Sequence, residues 1–548
     1  MEAFDICRAI NGGLSQSPAT IWKLIMVASR GFSASRREVL LGAAALGGAA
    51  ALGGAAILGS PGSALASDVK TLRVATGETD GVKGTLDPAY GNNDNDAARA
   101  SLVYERLVVP DEAFAPQPQL ALSWKPDATG QVWTFALRPD VKFQDGTPFT
   151  AKDVVYTFQR LIDPKTASAA AAILGQIDPN GIRAVDDHTV EFTLHAPVVE
   201  FPLLIANRFT YIVRAGQTSE ELRTAGIGTG PFKVEKFVPG EEPTIFLRNE
   251  HYWQPGKPHV DRVELRAIAE PSSRIAALLA NQVDIVTELP ALGLQRLESS
   301  PDVKVQSART SFWHGLAAFT DTPPFDDVRV RKALKLVVNR EQYLKAIVGD
   351  RGSVAYDTPV PPWQTYGLPE APFKPDIAAA KKLLAEAGHP NGIDIDLYTS
   401  AADVGLIQIA TLFKAQAAVA DIRVNIIQAP AADYWSNIWL KKPFVATGWN
   451  ARSADEALSL EFLSTAAWNE THWHNKEFDE LVFEARKTLD ESKRTELYRK
   501  AQRVIQDDGG ALILIYADTV GATRANVHGY KVHPQKITHD FSDVSIQT

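Results

Sequence analysis

The chain holds one cysteine, Cys7, and two methionines, Met1 and Met26, in 548 residues. A lone cysteine excludes an internal disulfide and a thiolate metal cluster. A chain this long, 45% hydrophobic, buries a core without either. Basic runs are scarce too. Lys and Arg number 56 against 65 Asp and Glu, a net charge of -9, which argues against a nucleic-acid partner, since phosphate binding needs clustered Lys and Arg. The sequence has no nucleophile elbow, no His-Glu-x-x-His and no dinucleotide glycine motif, so neither an enzyme nor a cofactor is expected. The pair His472 and His474 shares the i, i+2 spacing of one strand face, but no further ligand follows at a familiar interval. It reads as a loop, and no metal is expected.

What is present begins with an export pattern. Arg36-Arg37 precedes an uncharged run from Val39 to Ser67, and Ser63-Ala64-Leu65-Ala66 supplies small residues for cleavage after Ala66. Residues 1–66 therefore read as a twin-arginine signal. The alternative is a permanent anchor, because the run is long enough to span a bilayer. Its many glycines and alanines make it only weakly apolar, and no stop-transfer charges follow. Met26 offers a second possible start. With no cysteine at the cleavage site, the mature product is expected free in the periplasm rather than lipid-anchored.

Downstream, strand and helix patterns alternate. Trp133, Phe135 and Leu137 recur every second residue, as in a half-buried strand. Thr150 is placed to cap a helix with apolar residues Val154, Val155, Phe158, Leu161 and Ile162, ended by Pro164. Strands are expected at 190–194, 244–247 and 511–516. Helices are expected around Val330–Val338, after an Asn339/Gln342 cap, after an Asp376 cap, and over 476–487 and 491–506.

A resemblance spans nearly all of the chain after residue 67. Leu86-Asp87-Pro88, Leu102 to Leu107 and Pro118 to Trp124 are similar to the opening of the peptide/nickel class of extracellular solute-binding proteins (family 5). The stretch Trp133 to Tyr156 resembles that family's most distinctive motif. Gly228-Thr229-Gly230-Pro231-Phe232, Arg248 to Trp253, Val328 to Ala333 and Leu383 to Gly388 follow in the family's order. The resemblance implies an α/β, two-lobed periplasmic binding protein fold of type II, with an extra subdomain and a ligand cleft between lobes joined by hinge strands. Carried onto this chain, lobe I covers 67–315 plus 513–548, with 110–224 as the extra subdomain, and lobe II covers 316–512.

The same resemblance nominates ligand contacts. In peptide-binding members a tryptophan is followed three residues later by an aspartate that holds the peptide's ammonium group. Here Trp449 matches the tryptophan, Asn450 follows it, and Arg452 stands where the aspartate is expected. A guanidinium repels an ammonium and suits a carboxylate or phosphate, so Arg452 either faces an anionic group of the ligand, or points to solvent or pairs with Asp455 or Glu456. Asp455 is the alternative source of negative charge. Tyr90, Asn92 and Asn93 form a polar turn that either contacts ligand or caps itself. Trp313 and His314 lie near the expected hinge and either reach the cleft or pack beneath it. Trp363, Trp435 and Trp439 read as core or subdomain contacts.

The implied function is capture of a peptide, or of a peptide-like or anionic solute, and its delivery to the permease and ATPase subunits of an ABC importer. The chain itself carries no ATP-binding loop, and a monomer is expected. The alternative is a sensing or chaperone-like peptide binder that presents cargo to a receptor.

Overall fold

The computed structural model describes residues 69–77, 81–91, 93–369, 374–536 and 538–547. The export pattern, with Cys7 and Met26, and the candidate Asn92 lie outside these residues.

Three larger sheets, beside two two-stranded ribbons, organise the described residues. The largest has seven strands in the order Val303–Ala308, Thr519–Arg524, Ile285–Leu289, Thr71–Thr76, Arg262–Ala267, Thr244–Arg248 and Phe232–Lys236. Its three central strands are parallel and its flanks antiparallel. A six-stranded sheet runs Gly352–Val354, Ala511–Ala517, Trp313–Ala318, Phe444–Trp449, Ile393–Ser400 and Ile422–Ala429, the last three parallel. A four-stranded antiparallel sheet, Ala121–Pro126, Val132–Leu137, Thr189–Leu194 and Ile177–Asp186, stands apart from both.

The chain leaves the seven-stranded sheet after Ala308, enters the six-stranded sheet at Trp313, and returns through Asp518. The two crossings are tied together. Thr310 Oγ1 donates to the Ala517 carbonyl at 2.7 Å, and the Ala517 N–H donates to the Phe312 carbonyl at 2.8 Å. The crossings lie a few residues from the lobe boundaries expected at 315/316 and 512/513. Pairing registers put the carboxyl edges of both parallel strand sets at these crossings, since Ala308 pairs with Thr519 and Trp313 with Trp449. In open α/β sheets, that edge is where ligands bind.

Local patterning explains most elements. Trp133, Phe135 and Leu137 are buried on alternate positions of their strand. They meet Phe158, Phe192 and Phe201, with Phe158 edge-on to Phe192 at 4.9 Å between ring centres. The helix Ala151–Ile162 begins with a Thr150/Asp153 capping box, an arrangement worth about 1 kcal/mol. Asp376 accepts from the Ala379 N–H at 2.9 Å and caps Ile377–Glu386. Asn339 precedes Arg340–Ile347 but makes no side-chain cap. Gln342 instead accepts from Gln416 Nε2 at 2.8 Å, so two neighbouring helices share the polar pair that the sequence reads as local.

The family-like glycines have a steric cause. A Cβ on Gly228 would lie 2.0 Å from the Val103 carbonyl oxygen, and one on Gly230 2.6 Å from the Val103 carbonyl carbon. The close approach brings Thr229 Oγ1 to the buried Glu105 at 2.9 Å, where Trp253 Nε1 and Tyr252 OH also donate, at 2.9 and 3.1 Å. Burial raises the Glu105 carboxyl to about 7 despite those donors. Two separate sequence motifs thus meet at one side chain.

Candidate functional site

The strand Phe444–Trp449 is buried except at Gly448, because helices cover both faces of its sheet. It ends at the carboxyl edge, and the chain turns through Asn450 to Ser453 into the helix Ala454–Phe462, which Ser453 caps. That turn is fastened to the crossing. Ser311 Oγ donates to the Arg452 carbonyl and accepts from the Arg452 N–H, each at 3.1 Å, and Gln364 Nε2 donates to the same carbonyl at 2.5 Å.

Trp449 is 5% exposed and stands in a row of indoles. Trp439 lies 5.9 Å away at 66°, Trp468 lies 6.1 Å away at 55°, and Trp435 contacts Trp439 edge-on at 5.8 Å. The outer members, Trp435 and Trp468, are 41% and 44% exposed, so the row runs from buried to open. Beneath it, the buried Glu470 accepts from Trp449 Nε1 and Thr447 Oγ1, both at 2.8 Å, and from Trp439 Nε1. Three donors lock the indoles in place, while burial raises the Glu470 carboxyl above its ordinary range. Trp313, opposite Trp449 in register, donates to the buried Glu461 at 3.2 Å. Burial lifts that acid well above the ordinary carboxylate range, against the opposing pull of Arg452.

The guanidinium of Arg452 lies over the Trp449 ring at 5.1 Å. Its Nη1 donates to the Asn450 carbonyl at 3.0 Å, and Nε stands 3.4 Å from Glu456 Oε1 without hydrogen-bond geometry. The arginine thus stacks on Trp449 within ion-pair distance of Glu456. Asp455 points elsewhere. It is buried in a forked pair with Arg486, at 2.8 and 3.0 Å, and accepts from Tyr498 OH at 2.8 Å. Its acceptor sites are occupied within the lobe.

His314 is 3% exposed and lies on the opposite sheet face from Trp313. Neither ring nitrogen has a hydrogen-bond partner among the described residues. Phe312 packs 4.6 Å from its ring, and burial lowers its pKa against the opposing Asp403 charge. Tyr90 is 38% exposed and donates to the Thr166 carbonyl at 2.7 Å. It lines a cavity of about 500 Å³ with Lys83, Thr85, Ser219, Glu220 and Arg223, none of them from the six-stranded sheet. Asn93 accepts from the Asp96 N–H at 2.9 Å and caps the helix Asp94–Val103. The structure brings together Trp313, Trp449, Asn450 and Arg452, and leaves Tyr90 and Asn93 in a separate group.

Sequence reading missed Glu461, Glu470, Ser311 and Gln364, and placed Trp439 in the core without its link to Trp449. The 435/439 spacing, one helical turn, was the available signal. Trp473 donates to Asp508 at 2.8 Å, and His472 stacks on Phe319. Among the described residues, no group of three or more His, Cys, Asp or Glu is arranged to hold a metal. None of their helices is long and apolar enough to cross a membrane.

Two α/β sheets joined by paired crossings, with an aromatic and charged turn at their facing carboxyl edges, define a two-lobed solute-binding protein. Comparison specifies the kind. The family "Bacterial extracellular solute-binding proteins, family 5 Middle" matches residues 115–470. A di/tripeptide-binding protein of Pseudomonas aeruginosa is 30% identical over 526 residues, covering 88% of this chain and 96% of its own. A glutathione-binding protein of Escherichia coli K12 is 27% identical over 481 residues, covering 84% and 92%. The solved structure of a periplasmic binding protein of A. tumefaciens R10 with mannopinic acid is 28% identical, with a TM-score of 0.67, covering 88% and 100%. The chain belongs to the family 5 extracellular solute-binding proteins.

Proposed function

We propose that the protein captures a short peptide or a peptide-like anionic solute between its two lobes and hands it to the permease and ATPase subunits of an ABC importer. The first lobe is built on the seven-stranded sheet with the four-stranded unit inserted, the second on the six-stranded sheet, and the crossings at 309–312 and 518 are the hinge. Binding contacts on both lobes favour the closed state, so selection is by differential affinity rather than by chemistry.

The observation that carries the ligand class is Arg452. Its guanidinium is fixed on Trp449 at the carboxyl edge, tied through its backbone to the hinge residue Ser311, and uses only Nη1 for a protein hydrogen bond among the described residues. A rigid, under-used fork of donors suits a carboxylate. The similarity to di/tripeptide- and glutathione-binding relatives supports the same class. Calorimetric titration with glutathione, dialanine and their C-terminal amides tests it. The acids are expected to bind at least about tenfold more tightly than the amides; equal binding of acid and amide overturns the anionic assignment.

The protein acts as a monomer in the periplasm, exported by its twin-arginine signal. Changing both Arg36 and Arg37 to Lys is expected to leave full-length precursor in the cytoplasm, read by fractionation and N-terminal sequencing. A periplasmic product starting at Ser67 from that variant argues against the route.

A further inference from the structure

Four consecutive residues connect the ligand-facing turn, the hinge and the four-stranded unit. The Trp363 ring meets Tyr516 edge-on at 5.5 Å, beside the returning crossing, and Arg309 lies over it at 5.4 Å. Gln364 donates to the Arg452 carbonyl. Thr365 donates through its N–H and its hydroxyl to the Ala113 carbonyl, at 3.3 and 3.1 Å. Tyr366 OH donates to Glu200 Oε1 at 2.9 Å and accepts from Arg494 Nε at 2.8 Å. Ala113 and Glu200 belong to the segment that carries the four-stranded sheet, whereas Arg452 and Arg494 belong to the second lobe. One further bond joins the same two bodies, from the Val199 N–H to the Arg486 carbonyl at 3.0 Å.

We propose that residues 363–366 form a coupling strap, in which Tyr366 latches the four-stranded unit to the second lobe through Glu200 and Gln364 carries that contact to the turn bearing Arg452. Tyr366 and Gln364 are then positioning residues acting through that turn. The inference rests on the hinged, two-lobe reading above. When the lobes separate, Glu200 returns to water and the Tyr366 hydroxyl loses its acceptor.

Glu200 also makes the latch sensitive to acidity. Its carboxyl is lifted to about 7, chiefly by burial with help from Asp455 and Glu491, against the opposing Tyr366 hydrogen bond and Arg494 charge. Tyr498 and Arg486 complete the charged and titratable surroundings through Asp455. The joined state thus holds a proton more readily than the separated one, whose Glu200 titrates near the ordinary 4.5. The contact is strongest below about 4.5, weakens as pH rises from there towards 7, and has lost this contribution above about 7.

Hydrogen exchange of the full chain without ligand tests the latch and keeps it separate from the identity of the cargo. In Tyr366→Phe, the Val199 and Thr365 amides are expected to exchange roughly tenfold faster at pH 6, while the core strand Trp313–Ala318 is unchanged. Glu200→Gln, neutral and still an acceptor, is expected to keep both amides slow at pH 6 and at pH 8, after correction for intrinsic exchange. Gln364→Ala is expected to speed the Arg452 amide and leave Val199 slow. The proposal is overturned by unchanged exchange in Tyr366→Phe, by acceleration that includes the core strand, by a wild-type pH profile in Glu200→Gln, or by an unchanged Arg452 amide in Gln364→Ala. If no tested peptide binds yet the exchange pattern is as expected, the cargo assignment fails and the latch stands.

Discussion

Arg452→Ala is expected to lower affinity for glutathione by about 10- to 100-fold, the cost of losing a charge-assisted hydrogen bond in a sheltered site. Stability is expected to change by less than about 1 kcal/mol, because the Arg452 and Glu456 side chains are both partly exposed and not in hydrogen-bond geometry. The two readouts separate a ligand group from a structural one. Removal of the guanidinium also leaves Glu456 facing the incoming carboxylate, which adds repulsion to the lost attraction. Arg452→Lys keeps the charge but loses the planar fork and the ring stacking on Trp449, so an intermediate affinity is expected. Calorimetry of the three proteins checks the order. Wild-type affinity in Arg452→Ala would show that the Glu456 pairing is all that this arginine does.

The elements were legible where the pattern is local. Thr150 and Asp376 cap the expected helices, and 476–487 is a helix over its whole expected length, since caps and apolar stripes act within a few residues of chain. Trp449 and Arg452 were legible as neighbours because one turn carries both. What holds them was not. Glu470 lies 21 residues beyond Trp449 in a loop, and a carboxylate in a loop has the composition of solvated surface; only the fold brings it under two indole N–H groups. Ser311 and Gln364 were hidden for the same reason, being 141 and 88 residues from the backbone they hold. Asn339 shows the limit even at short range: a cap-like sequence loses its local bond when Gln416 offers one from another helix.

Asp455 is the residue for which sequence and structure lead to opposite experiments. A ligand carboxylate would be removable with little loss of stability, whereas the observed aspartate sits in a forked pair with Arg486 and accepts from Tyr498, all inside the packed helices of the second lobe. Asp455→Ala is therefore expected to destabilise the protein by about 3–5 kcal/mol, because it strands a largely buried guanidinium and a buried phenol. Urea unfolding measures this, and adding Arg486→Met is expected to recover part of the loss, since removing both charges relieves the unpaired one. Under conditions where Asp455→Ala is folded, its affinity for the acidic peptides is expected to stay within about threefold of wild type, a shift of under 1 kcal/mol. A stable Asp455→Ala protein that no longer binds peptide would move the amino-terminal anchor of the ligand to Asp455. The anionic assignment would then rest on Arg452 alone, with one turn reading both ends of a short peptide.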